Sequence, residues 1–170
     1  MVSVNITEMT TPDDISIVED LLRRYVQWLF DSFPDEKEDL ESYFSPDRMQ
    51  QALDELSTKF LPPEGLALIA RSEGQSIGCV LAYPLEPGIV EMKRLFVLPL
   101  ARGKGVGAAL IEMLGVKMAA RGYGTIRLDT AVFLTDAISL YRRMGFVEIA
   151  PYTDIPSGAI PTALFMEWRP

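Results

Sequence analysis

Apolar residues follow two rhythms along this chain, alternation and a three-to-four-residue repeat, and the switches between them mark out its elements. Val2 to Met9 alternates and predicts a first strand. Thr11-Pro12-Asp13-Asp14 then supplies an N-cap, a proline suited to the first helical position and acids for the positive helix end. Ile15, Val18, Leu22, Tyr25, Val26 and Leu29 continue at helical spacing. Ser45-Pro46-Asp47 opens a second helix carrying Met49, Leu53, Leu56 and Phe60, and Asp31 to Glu41 between the two reads as an acidic connector.

Leu66 to Arg71 and Ser76 to Tyr83 read as a hairpin around Ser72-Glu73-Gly74-Gln75, closed by Pro84 and Pro87. Ile89 to Leu98 is a longer extended run, and Gly105 to Arg121 is helical, with Gly122 as its stop. Thr125 to Ala131 predicts a strand, Thr135 to Met144 a helix, Phe146 to Ile149 a strand, and Thr162 to Trp168 closes the chain. The order is βααβββαβαββ. The strand-helix-strand unit from Ile89 to Ala131 needs a crossover, so its strands pair parallel while the others can pair antiparallel. The expectation is an α/β fold, with helices on both faces of a mostly antiparallel mixed sheet that holds a central parallel pair.

A length of 170 residues with no repeat or linker predicts one domain, 1–170, and 48% apolar with 24% charged residues is ordinary globular composition. Twenty-four acidic against sixteen basic residues give a net charge of −8, with no basic cluster, which argues against nucleic acid and mildly favours cationic small molecules. One cysteine and no histidine rule out an internal disulfide, histidine triads and the usual zinc or iron ligand sets, so no metal is expected. The N-terminal residues lack a secretory pattern and no apolar run would span a bilayer, which predicts a cytoplasmic protein free of the membrane. Ala163-Leu164-Phe165-Met166 reads equally as core strand or dimer contact, leaving a homodimer open.

The chemistry concentrates where the extended run meets the helix after it. Arg102-Gly103-Lys104-Gly105-Val106-Gly107 places three glycines within five residues, letting backbone N–H groups approach a ligand without Cβ obstruction. The helix directs its positive end to the same point, and Arg102 and Lys104 add charge, which together describe a diphosphate site. No Gly-Lys-Ser/Thr follows, against a P-loop. A dinucleotide-binding turn would need Gly-x-Gly-x-x-Gly early in the chain; Asp129 as a ribose acid keeps that alternative open.

This stretch resembles the GNAT superfamily of acyl-CoA-dependent N-acyltransferases, whose phosphate loop reads Arg/Gln-x-x-Gly-x-Gly/Ala. Leu95-Phe96-Val97-Leu98-Pro99 looks like that family's strand before the loop, and Leu140-Tyr141-Arg142-Arg143-Met144-Gly145-Phe146 like its Leu-Tyr-x-x-x-Gly-Phe motif. The likeness runs from Ile89 to Tyr152. It implies an N-acetyltransferase moving acetyl from acetyl-CoA to a primary amine, read here as a small molecule, by direct attack in a ternary complex. A non-catalytic acyl-CoA sensor or partner-binding module is the alternative. By the same resemblance Arg102, Gly103, Lys104, Gly105, Val106 and Gly107 hold the CoA diphosphate, and Leu95 and Val97 offer backbone groups to the pantetheine arm or acyl carbonyl. Leu134 stands where the family often has an asparagine, putting one cofactor contact in doubt.

Amine acylation needs a neutral amine, an oxyanion stabiliser and a proton for the departing thiolate. Tyr141 matches the family's motif tyrosine and is the candidate acid; Glu91, on the strand leading to the loop, is the candidate base, with Asp129 competing. Lys93 and Arg94 inside an apolar strand call for partners, either nearby acids or a carboxylate on an amino-acid-like substrate. Trp28, Phe30, Phe33, Tyr152 and Asp154 are candidates to line the acceptor pocket, and Cys79 reads as a small core residue.

Overall fold

The computed structural model describes residues 3–153 and 163–170. A seven-stranded sheet is built from β1 (Asn5–Glu8), β2 (Leu66–Ser72), β3 (Gln75–Glu86), β4 (Ile89–Val97), β5 (Thr125–Ala131), β6 (Val147–Ile149) and β7 (Ala163–Trp168). Strand order is β1-β2-β3-β4-β5-β7-β6, and among these neighbours β4 and β5 alone run parallel. They are the strands joined through a helix, α4 (Val106–Ala119), because parallel neighbours require a crossover. The mixed α/β sheet with a central parallel pair is therefore the one the element pattern predicts. The final apolar segment is the internal strand β7, with Phe165 and Met166 buried.

Alternation along β2 decides which helices cover which face. Leu66, Leu68 and Ala70 pack with Leu110 and Leu114 of α4. Ala67 and Ile69 pack oppositely, with Val18 and Leu22 of α1 (Pro12–Ser32) and the buried Leu53 of α3 (Pro46–Asp54). Burying each of these leucine, isoleucine and valine side chains contributes about 2 kcal/mol, so both faces are held by the same effect. The helix α1 starts where its sequence says: the Asp14 N–H donates to Thr11 Oγ1, and the Thr11 N–H donates to Asp14 Oδ2. The Thr10 N–H, working against burial and joined by Thr11 and Arg71, holds the Asp14 carboxyl below its ordinary range.

Two expectations need correction. The acidic connector contains a helix, α2 (Lys37–Tyr43), so the order is βαααβββαβαββ rather than βααβββαβαββ. Leu40, 1% exposed, anchors it, and Lys37 lies 3.6 Å from Glu41 one turn on. A seven-residue helix with one buried position is too short to display a period. The strand β3 also runs past Pro84 to Glu86; Pro84 faces Val90, and the register shifts just beyond, where a missing N–H disturbs the ladder least.

The feature that shapes the site is a bulge in β4. Between the partners Leu81–Lys93 and Cys79–Phe96, β4 advances one residue more than β3, and Arg94 takes a left-handed φ of +56°. On its other edge β4 meets β5 only over Ile89–Glu91 against Thr125–Arg127. Past Glu91 the two strands part, which leaves that edge of Met92–Val97 without a strand beside it among the described residues.

Candidate active site

A cavity of about 910 Å³ occupies the split and reaches both faces of the sheet. Toward α4 it ends at the loop 102–107. Gly103 and Gly105 adopt φ of +73° and +79°, and each faces open space where a Cβ would stand. Gly105 precedes α4 with no side-chain bond to the first turn. The N–H groups of residues 103–108 consequently have no acceptor among the described residues. Bare amides at the positive end of a helix of 14 residues form an anion site. Lys104 is exposed beside them; Val106 is buried and can offer only its N–H.

Arg102, still exposed, lies over Trp28. Its Nε donates to the Val97 carbonyl at 2.9 Å, and its guanidinium sits 3.9 Å from the Trp28 ring centroid. Burial draws the guanidinium below its ordinary pKa, opposed by the nearby Asp136. Leu95 and Val97 line the cavity beside the split.

Tyr141 is positioned by the way its helix stops. In α5 (Thr135–Arg143) Gly145 has φ +97°, its N–H donates to the Arg142 carbonyl, and the Phe146 N–H reaches back to the Tyr141 carbonyl. This is a Schellman ending, and its characteristic apolar contact is Tyr141 against Phe146, ring centroids 5.5 Å apart. The glycine-phenylalanine step in the motif is thus the stop that fixes the tyrosine. Tyr141 lines the cavity, its hydroxyl has no hydrogen-bond partner among the described residues, and burial pushes its phenol well above the ordinary tyrosine range.

Glu91 lies below the split, where β4 and β5 are still paired, and is 2% exposed. It accepts hydrogen bonds from the Tyr83 hydroxyl and, at 2.9 Å, from the Tyr152 hydroxyl. Lys93 Nζ bridges it at 3.5 Å to Asp129 at 2.6 Å. Lys93 and Asp129 face the cavity whereas Glu91 does not. Burial acts to lower the Lys93 pKa, but Asp129, with Tyr43 and Glu91, more than offsets it and keeps the ammonium charged well into the alkaline range.

Lys93 thus has the acid partners its strand position calls for. Arg94 lies instead over the rings of Phe44 and Tyr43, at 5.0 and 5.5 Å. Trp28 and Phe33 line the cavity; Phe30 does not, and Tyr152 serves Glu91. Asp154 lies outside the described residues. Cys79 is fully buried, and burial pushes its thiol up to about 12, which suits a core residue. Sequence reasoning missed Tyr43, Phe44 and Phe133 in the wall, since they sit at an unrecognised helix end and in a short turn. Tyr25, one position of the α1 helical stripe in sequence, also lines the cavity.

Comparison with known proteins gives this geometry a family. The model of the acetyltransferase (GNAT) family matches residues 22–146. An uncharacterized N-acetyltransferase of Schizosaccharomyces pombe is 32% identical over 96% of this chain and 93% of its own length. An IAA acetyltransferase of Azospirillum brasilense is 39% identical over 62% of this chain and 68% of its own. In fold, the chain is similar to an N-acetyltransferase from Thermoplasma acidophilum solved with coenzyme A, at a TM-score of 0.72 and 18% identity over 98% of this chain and 99% of that one. With bare amides at one end of the cavity and this likeness along most of its length, the chain belongs to the GNAT acetyltransferase family and is an acyl-CoA-dependent acetyltransferase.

Proposed function

We propose that the enzyme transfers acetyl from acetyl-CoA directly to a primary amine of a small molecule, with both held at once on opposite sides of the split sheet. The observation that carries this reading is one cavity joining the bare amides of the loop to an aromatic chamber beside α1. The residues present suit the cosubstrate: the glycine φ values and the empty space at their Cβ positions let phosphate oxygens approach the backbone. When bound, acetyl-CoA supplies a thioester carbonyl and a thiol leaving group.

In this reading residues Gly103 to Gly107 grip the diphosphate through main-chain N–H groups, and Arg102 and Lys104 add charge. Arg102 leaves Trp28 to do so, which releases the Val97 carbonyl for the pantetheine arm. The open edge of β4 at Leu95 and Val97 orients the acyl group, and main-chain N–H near Val97 polarises its carbonyl. The amine's proton goes to the acidic cluster below. Asp129, the carboxylate that faces the cavity, takes it directly, and Glu91 holds Lys93 in place from below. Lys93 cannot be the base because it stays charged. Tyr141, kept protonated by burial, donates to the departing sulfur.

Thiol release across a panel of small primary amines and lysine peptides tests the proposal. Tyr141→Phe should lower kcat about 100-fold with little change in KM for acetyl-CoA, and Glu91→Gln should lower kcat/KM about tenfold. An unchanged kcat in the first variant would remove the tyrosine from the mechanism. Peptides consumed in preference to every small amine would overturn the small-molecule acceptor.

A further inference from the structure

The charge inside the cavity opposes the charge of the chain. Four cationic residues line it (Lys93, Arg94, Arg102 and Arg143) against two carboxylates, Asp129 and Asp136, in a protein of net charge −8. Arg102 belongs to the phosphate loop and Arg143 to α5, which packs on the same face as α4, so in the transfer reading both stand on the cosubstrate's side. Asp129 and Glu91 account for Lys93. Arg94 is left over, and it sits on the other face with α2.

Three observations mark Arg94 as a ligand group. It is half-buried in the cavity wall, yet no carboxylate lies within ion-pair distance of it among the described residues, whereas Arg71, Arg121 and Arg127, buried to a similar degree, each reach one. Its guanidinium is steadied by two aromatic faces, which hold a cation without neutralising it. Its backbone takes φ +56° in the bulge, a conformation disfavoured for a non-glycine residue and concentrated at ligand sites.

We infer that the acceptor carries a carboxylate as well as its amine, that Arg94 grips this carboxylate as a planar fork, and that the body of the molecule is apolar or aromatic. The inference rests on the transfer reading and adds the substrate class. Tyr25, Trp28, Tyr43 and Phe44 supply the apolar walls at this end. Arg94 and Leu95, beside which the acyl group lies in that reading, line one cavity, so a single acceptor can offer its amine to the acyl group and its carboxylate to Arg94, and α-amino acids are the simplest molecules that carry both. A guanidinium binds a carboxylate through two parallel hydrogen bonds, a geometry an ammonium cannot reproduce.

The test uses phenylalanine, tryptophan and leucine, each against its own amide, which keeps the amine and deletes the carboxylate charge. Amides carry the less basic, more readily neutral amine, so a preference for the acids runs against intrinsic reactivity. The acids should be acetylated with kcat/KM about tenfold or more above the amides. Arg94→Met should erase that preference and Arg94→Lys keep part of it, with acetyl-CoA affinity unchanged in both. Amides used as well as acids by the native enzyme, or a preference that survives Arg94→Met, would overturn the inference. Melting of the CoA-loaded protein with the same compounds separates the two readings. If neither these compounds nor any amine of the wider panel is acetylated the transfer reading fails, while acids that raise Tm more than amides in the native protein but not in Arg94→Met still uphold the Arg94 site; no such difference sinks it.

Discussion

The two ends of the cavity are built from different parts of the polypeptide. Toward α4 the ligand-facing groups are main-chain N–H groups, exposed by glycines at positive φ and by a helix with no side-chain cap. Toward α1 and α2 they are side chains, brought together from Tyr25, Trp28, Tyr43, Arg94 and Asp129. A backbone site needs only a local conformation, so one short segment specifies it and any sequence that keeps the glycines keeps the site. A side-chain site depends on how distant elements pack, so its chemistry can change without altering the fold. In this chain, therefore, the backbone end can stay fixed while substitutions alter the side-chain end.

Three substitutions sharpen or break the comparison. The largest effect is expected from Leu40→Ala, which empties the anchor of α2 and should cost about 3 kcal/mol in chemical denaturation. If the ends are independent, the surviving folded enzyme shows a raised KM for its amine and unchanged CoA affinity by calorimetry; equal losses of both would merge the two ends into one unit. Next comes Gly105→Val, which places a β-branched residue at φ +79°. It should weaken CoA by about 2 kcal/mol, roughly 30-fold, while the native melting response to an amino-acid probe persists. The smallest is Leu134→Asn. Leu134 precedes α5 without a capping side chain and lines the cavity, so an asparagine there should raise stability by about 1 kcal/mol and tighten CoA slightly. A loss of CoA affinity would show that the leucine fills space the cosubstrate needs.

Legibility in the sequence followed the same division. The N-cap of α1, the limits of β5 and the start of α4 sit where local signals put them, because capping, alternation and glycine stops act within a few residues. The motif around Tyr141 was legible through its resemblance to a family pattern, and the structure gives the pattern its reason: it is a helix stop with its apolar clasp. The helix α2 was not, since Leu40 alone ties it to the core and its other positions are polar or half-exposed. Glu91 stood out as a carboxylate on the right strand. That it lies under the split, bonded by Tyr83 and Tyr152 and separated from the cavity by Lys93, depends on partners up to 61 residues away.

The sequence by itself determined the order of most elements, the parallel crossover and the bare-amide loop, all consequences of short-range sterics and hydrogen bonding. Only the tertiary structure decided where β4 and β5 part, which carboxylate faces the cavity, and that Arg94 meets aromatic neighbours, with no acid in reach among the described residues. Those outcomes depend on a bulge that shifts register by one residue and on packing between segments far apart in the chain, and no local pattern encodes the distance between two side chains that meet only after folding.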